Sequence, residues 1–232
     1  MHWLIFPKER EDMEQQESKT RFGELGVRAV SGLVLAVVVL AILWAGGFLF
    51  SILILLASLL MLREWDALTE LESSIWGFAG LFYVAIPCAS LLWLRQLDFS
   101  LVLYVLFAIW ATDIGAYFAG RIIGGAKLAP SISPSKTWAG LGGGMTAAGI
   151  VGGICHLFSP YPLTLWGAIF FAMVLAVVAQ GGDLFESWLK RRAGVKDSGT
   201  LIPGHGGILD RVDGLIFTIP LFAIMVYFGL KS

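Results

Sequence analysis

The sequence predicts an all-α fold: a polytopic integral membrane helix bundle of about seven transmembrane helices with its N-terminus in the cytoplasm. Composition, block length and the placement of basic residues carry that prediction. The 232 residues are 57% hydrophobic and 14% charged, whereas soluble domains carry about a quarter charged residues. The apolar residues fall in long blocks, and a block of about 18 residues or more matches a bilayer core rather than one face of a soluble helix. In lipid the backbone must satisfy its own hydrogen bonds, which selects helices. The short alternating segments of a membrane barrel are absent.

The blocks place spans at about 27–45, 48–62, 75–94, 101–119, 137–158, 164–181 and 214–230. Residues 1–26 are charged and lack an apolar signal core, so they read as a cytoplasmic tail ahead of an uncleaved anchor. Residues 27–232 form the transmembrane domain. Gly46-Gly47 divides the first apolar region into the two arms of a hairpin. With the N-terminus inside, every Lys and Arg except Arg95 and Lys231 falls on the cytoplasmic side, as the positive-inside rule requires. The connections Arg95–Ser100 and Ser159–Leu163 only turn the chain. The two long polar loops, 120–136 and 182–213, face the cytoplasm together. Cys88 and Cys155 lie in apolar runs and read as packing residues, with no CxxC pair to suggest zinc. The glycines of the fifth span, Gly140 to Gly153, read as close helix packing, since no GxxxxGK[ST] loop is present. A formal net charge of −1 says nothing about partners, and no nucleic-acid partner is expected.

The chemistry concentrates between Asp183 and Asp213. Asp183 stands where the sixth span ends, and ionisable residues at that depth are functional candidates. Ser187 lies four residues on, on the same helix face. Lys190, Arg191 and Arg192 follow, either to bind phosphate or to anchor the topology. Then come Lys196-Asp197-Ser198-Gly199 and Ile202-Pro203-Gly204-His205-Gly206-Gly207, whose dense glycines let a backbone present N–H groups to an anion. Asp210-Arg211-Val212-Asp213 closes the stretch. Two carboxylates, Asp183 and Asp210, thus flank a basic, Gly-rich loop. That combination suits a divalent ion and a nucleoside triphosphate, with oxygen ligands favouring magnesium over zinc. In the other long loop, Ser133, Ser135, Lys136 and Thr137 offer a phosphate contact at a helix start capped by Ser135 or Thr137. Asp113, inside the fourth span, binds metal or substrate, or pairs with a cation to hold the bundle.

These residues resemble the phosphatidate cytidylyltransferase (CDP-diacylglycerol synthase) family. The resemblance rests on Ser187-Trp188-Leu189-Lys190-Arg191, Lys196-Asp197, Pro203-Gly204-His205-Gly206-Gly207 and Ile208-Leu209-Asp210-Arg211-Val212-Asp213. Asp113-Ile114-Gly115-Ala116-Tyr117-Phe118-Ala119-Gly120-Arg121 and Ser133-Pro134-Ser135-Lys136-Thr137-Trp138 are similar to family segments too. It covers about residues 105–215. It implies that CTP and phosphatidate give CDP-diacylglycerol and diphosphate, with magnesium, in phospholipid synthesis at the bacterial cytoplasmic (inner) membrane. It implies metal ligation by Asp183 and Asp210, with Lys196 and Arg211 completing the catalytic set. Ser187, Lys190, Arg191, His205, Gly206, Gly207, Ser133, Lys136 and Asp113 would then bind substrate. A second, monovalent cation and a homodimer are compatible with the sequence, which specifies neither.

The phosphate of phosphatidate is already an anion, so the reaction needs positioning and charge neutralisation rather than a strong base. The nearest alternative is a CTP-using enzyme with another lipid phosphate as acceptor. The DGxxAR…GxxxDxxxD run of CDP-alcohol phosphotransferases is absent. A transporter built on Asp113 leaves the loop motif unexplained, and a purely structural membrane protein explains neither loop.

Overall fold

The structure is a computed structural model that describes residues 32–69, 73–158, 164–201 and 206–229. The N-terminal tail and His205 lie outside the described residues. Seven helices follow in chain order: α1 (Gly32–Ala45), α2 (Gly47–Thr69), α3 (Ser74–Leu97), α4 (Phe99–Ile122), α5 (Trp138–His156), α6 (Leu165–Arg192) and α7 (Leu209–Gly229). Between α4 and α5 lies a two-stranded antiparallel hairpin, β1 (Lys127–Ala129) and β2 (Ser133–Thr137). Helices α2 to α7 are each long and apolar enough to cross a membrane. Large side chains such as Phe82, Ile114, Phe170 and Ile224 stand exposed around the bundle. Such a surface suits lipid and not water, and the chain is an integral membrane protein.

Local chemistry sets the ends of the helices. Asp98 caps α4 by accepting from Ser100 N at 2.7 Å, and Thr164 caps α6 by accepting from Gly167 N at 3.0 Å. Of the two cap candidates before α5, Thr137 performs the task, accepting from Gly140 N at 3.0 Å. Helix α6 ends where Gly194 adopts a φ of 71° and Val195 N donates back to Lys190 O at 3.0 Å. The break between α1 and α2 falls at Gly46, whose φ is 65°. There Arg95 reaches across from α3 to donate to Leu43 O at 2.7 Å and Trp44 O at 3.0 Å, closing the C-terminal carbonyls of α1.

Several boundaries differ from the sequence expectation, for one reason. Hydropathy marks where lipid stops, and a helix continues past that point while its residues still pack. Helix α2 runs on to Thr69 because Met61, Trp65 and Leu68 remain buried. Helix α6 runs to Arg192, 28 residues in all, or about 42 Å, longer than the roughly 30 Å hydrocarbon core. The stretch read as a loop from residue 182 to 213 is therefore helical at both ends. The shorter loop lies between Arg192 and Leu209. The 120–136 loop is mostly the β-hairpin, its register pairing Lys127 with Thr137 and Ala129 with Ser133.

The glycines of α5 pack as expected. A Cβ on Gly144 would sit 2.9 Å from Thr112 O on α4. A Cβ on Gly152 would sit 2.9 Å from Ala168 O on α6 and 3.1 Å from the Tyr104 hydroxyl, which itself donates to Ala168 O at 2.6 Å. Small residues thus let α4, α5 and α6 touch through their backbones. Gly152→Val is expected to cost about 1–3 kcal/mol by overpacking, read as a lower unfolding midpoint in detergent. Gly142→Ala, with open space around it, should not lower that midpoint and should raise it by the equivalent of about 0.5–1 kcal/mol, the helix cost of glycine relative to alanine.

Two apolar cores result. One, around Leu94, Tyr104, Leu175 and Phe222, fills the end of the bundle near the α3–α4 turn. The other, around Trp65, Val84, Leu189 and Leu209, fills the opposite end, where the hairpin and the α6–α7 loop also lie.

Candidate active site

Polar groups from five elements meet at that second end. Asp113 and Tyr117 on α4, Ser135 and Lys136 on β2, and Gln180 and Asp183 on α6 line a cleft of about 410 Å³. Lys136 stands at its centre, donating to Gln180 Oε1 at 2.8 Å and pairing with Asp183. Asp183 also accepts from Ser187 Oγ at 3.2 Å, as their four-residue spacing predicts. Its side chain keeps 32% exposure, so it opens to the cleft. Arg121 stands at the rim, its guanidinium donating to the Tyr117 hydroxyl at 2.9 Å.

A second cluster adjoins the first along α6. Asp210, in the first turn of α7, takes donors on both oxygens: Lys190 Nζ at 2.5 Å on Oδ1, and Ser198 N at 2.8 Å with Gly207 N at 2.9 Å on Oδ2. Ser198 Oγ lies 2.9 Å from Asp210 Oδ2 and 3.0 Å from Glu64 Oε2, and its single proton serves one of them at a time. Lys190 Nζ lies 3.2 Å from Glu186 Oε1, yet neither oxygen of Glu186 accepts a well-aligned hydrogen bond, so that attraction is Coulombic.

Asp213 joins the clusters. Helices α6 and α7 touch where Gly182 faces Asp213 O, a contact a side chain at residue 182 would block. The Asp213 carboxylate lies within electrostatic reach of Asp183, Asp113 and Lys190, and Glu186 within reach of Asp213 and Asp210. Asp113, Asp183, Glu186, Asp210 and Asp213 thus crowd together with Lys136 and Lys190 as the lysines paired among them. Carboxylates in excess, partly withdrawn from water, are costly unless a cation joins them. Their hard oxygen atoms suit magnesium. Among the described residues, however, no three of these acids stand close enough together to hold one ion between them.

The sequence candidates divide between these clusters. Asp113, Lys136 and Asp183 meet in the cleft. Lys190, Gly207 and Asp210 form the second cluster, and Ser187 hydrogen-bonds Asp183. Lys190 stands two helical turns beyond Asp183, about 10 Å along the axis, so Asp183 and Asp210 sit at different levels. Ser133 pairs with Ala129 at the far end of β2, and Ser135 takes the place at the cleft. Gly206, with a φ of 78°, turns the chain against Asp210, and Gly207 directs its amide to that carboxylate. Arg191, Lys196 and Arg211 are exposed, and none of the three lines the cleft.

Gln180, Asp213, Ser198 and Glu64 were not among the sequence candidates. Gln180 stands three residues before Asp183, and Asp213 three after Asp210, so helical spacing from a known acid finds both. Ser198 is the hydroxyl next to Lys196-Asp197. Glu64 carries a signal only once α2 is known to continue, because it then shares the buried stripe of Met61, Trp65 and Leu68.

Residues 70–228 match the model of the cytidylyltransferase family. The phosphatidate cytidylyltransferase of Brucella suis biovar 1 (strain 1330) is 48% identical over 131 residues, 56% of this chain and 47% of that protein. That of Haemophilus influenzae (strain ATCC 51907 / DSM 11121 / KW20 / Rd) is 45% identical over 134 residues, 56% of this chain and 46% of that protein. The match spans about half the length of those relatives. The phosphatidate cytidylyltransferase of Rickettsia bellii (strain RML369-C) is 37% identical over 227 residues, 94% of this chain and 96% of that protein. Both polar clusters other than Glu64 fall inside the matched segment, and with it the chain belongs to the cytidylyltransferase family.

Proposed function

We propose that this protein transfers the cytidylyl group of CTP to phosphatidate, giving CDP-diacylglycerol and diphosphate. The observation that carries the reading is the meeting of Asp113, Lys136 and Asp183 in one cleft at the polar end of the bundle. The end-to-end similarity to a phosphatidate cytidylyltransferase supports the choice of acceptor.

In this reading a phosphate oxygen of phosphatidate attacks the α-phosphorus of CTP. The bond from that phosphorus to the β-bridging oxygen breaks, and diphosphate leaves with the electron pair. Attacking and leaving groups are both anionic, so the barrier is largely one of bringing like charges together. Lys136, hydrogen-bonded to Gln180, would hold one phosphate against the cleft wall. Lys190 holds Asp210 and, through it, the loop beside the cleft. Arg191, Lys196 and Arg211, exposed on the same polar end, would offer charge to the incoming triphosphate, and Arg121 at the rim would meet the lipid headgroup. Asp183 and Asp210 would each offer an oxygen to magnesium that the triphosphate brings with it, and the ion would supply charge neutralisation for the triphosphate and the departing diphosphate. The acyl chains stay in the bilayer beside the exposed apolar face of α4 while the headgroup enters the cleft. Charge asymmetry supports a cytoplasmic N-terminus and site in the bacterial inner membrane, where CTP is available.

The test supplies purified protein with labelled CTP and magnesium, and offers phosphatidate or a polyprenyl phosphate. Label should enter the organic phase with phosphatidate, one diphosphate being released per lipid labelled. Label entering only the polyprenyl product would reassign the acceptor, and no labelled lipid from either would overturn cytidylyl transfer.

A further inference from the structure

The carboxylate of Glu64 belongs neither to the cleft nor to the segment that matches the family, which begins at residue 70. Yet it is the most heavily engaged side chain of α2. It is 8% exposed. Oε1 accepts from Ile208 N at 2.8 Å, and Oε2 accepts from Leu209 N at 2.8 Å and faces Ser198 Oγ at 3.0 Å. Its partners lie 134 to 145 residues further along the chain. Two glycines of the loop close around it: a Cβ on Gly199 would lie 3.0 Å from Oε1, and one on Gly207 would overlap Oε2. Ser198 and Gly199 on one side and Gly207 to Leu209 on the other thus close on one carboxylate from a distant helix. Asp210 follows directly, and Ser198 touches both acids.

We propose that Glu64 is a positioning residue for the reaction. Its carboxylate receives the amides of Ile208 and Leu209 at the start of α7, shares the Ser198 proton with Asp210, and so fixes where Asp210 and the Gly206-Gly207 turn stand relative to Lys190. The chemical argument is one of donor and acceptor count. One amide donates to each oxygen and a shared hydroxyl adds to one of them, and only a carboxylate offers acceptors alone. Glutamine has the same shape but places an NH₂ against an N–H or O–H donor, leaving a buried donor unmatched. A residue that merely filled space would be replaced well by glutamine, whereas one that positions through its charge would not.

The proposal rests on the cytidylyltransferase reading, so the experiment joins an activity measurement to one that needs no activity. The full-length protein in detergent is compared with Glu64→Gln and with Asp66→Asn, a control that removes a charge from the exposed side of the same helix. Hydrogen exchange is followed by mass spectrometry, and turnover with CTP and phosphatidate is measured at saturation. Glu64→Gln should raise exchange about tenfold or more in peptides covering 198–209, leave the helices protected, and lower kcat about tenfold with less than a threefold change in KM for phosphatidate. Asp66→Asn should change none of these. Wild-type exchange and kcat in Glu64→Gln would overturn the proposal. So would exchange rising through all the helices, which would make Glu64 a general stabiliser. A wild-type protein that makes no CDP-lipid would sink the reaction itself, and the exchange arm would still report whether Glu64 anchors the loop.

Discussion

Asp183→Asn is expected to lower CTP-dependent lipid labelling about a hundredfold or more while the protein folds normally. Asparagine keeps the size of the side chain, an acceptor for Ser187 and a partner for Lys136, and removes only the charge. Asp183 is 32% exposed, so its neutralisation costs the fold little. On the proposed reading it removes a charged oxygen offered to the magnesium that accompanies the triphosphate, and electrostatic groups aimed at developing charge typically contribute about 10²–10³ in rate. The defect should therefore depend on magnesium, with residual turnover saturating only at higher magnesium than in the wild type. Turnover equal to wild type across a magnesium titration would remove Asp183 from the ligand set. In that case the carboxylate would serve only as counter-ion to Lys136, and Lys136→Met should then match Asp183→Asn in every respect.

Lys190→Met is expected to cost about 3–5 kcal/mol of stability, the usual penalty for removing one partner of a buried ion pair. Lys190 is 13% exposed, and the two carboxylates it serves, Glu186 and Asp210, are 1% and 5% exposed. Methionine fills much the same volume, so the loss comes from charge and not from a cavity. Most of it arises from Glu186, whose oxygens have no well-aligned hydrogen-bond donor to fall back on. Asp210 retains Ser198 N and Gly207 N. Adding Glu186→Gln to Lys190→Met should thus recover a large part of the loss. The coupling between the two positions is measured by a double-mutant cycle on unfolding in detergent. A Lys190→Met protein as stable as wild type would show that the carboxylates find another cation.

These two residues also show what was legible early. Asp183 stands at the end of an apolar run, and hydropathy alone isolates an acid there. Lys190 lies within the recognised Ser187–Arg191 motif, but the sequence does not tell an anchor at the membrane surface from the counter-ion of two buried acids. Helical spacing accounts for Ser187 meeting Asp183. It cannot account for Lys136, 44 residues before its partner Gln180, nor for Glu64 beneath the loop. Those contacts depend on how α2, β2 and α6 are arranged in three dimensions.

The sequence by itself determined the membrane-embedded helical fold, because an apolar block long enough to cross a bilayer has few other conformations open to it. It also pointed to the two polar interruptions and to Asp113 as the places to look for chemistry, since charge near a membrane span is rarely incidental. Only the tertiary structure decided where the helices end, because helices continue for as long as their side chains find packing. It also decided that Asp183 faces Lys136 while Asp210 is held by Lys190, and that Asp213 lies between the two groups. Local periodicity extends over a few turns, and these pairings are made by residues tens to more than a hundred positions apart.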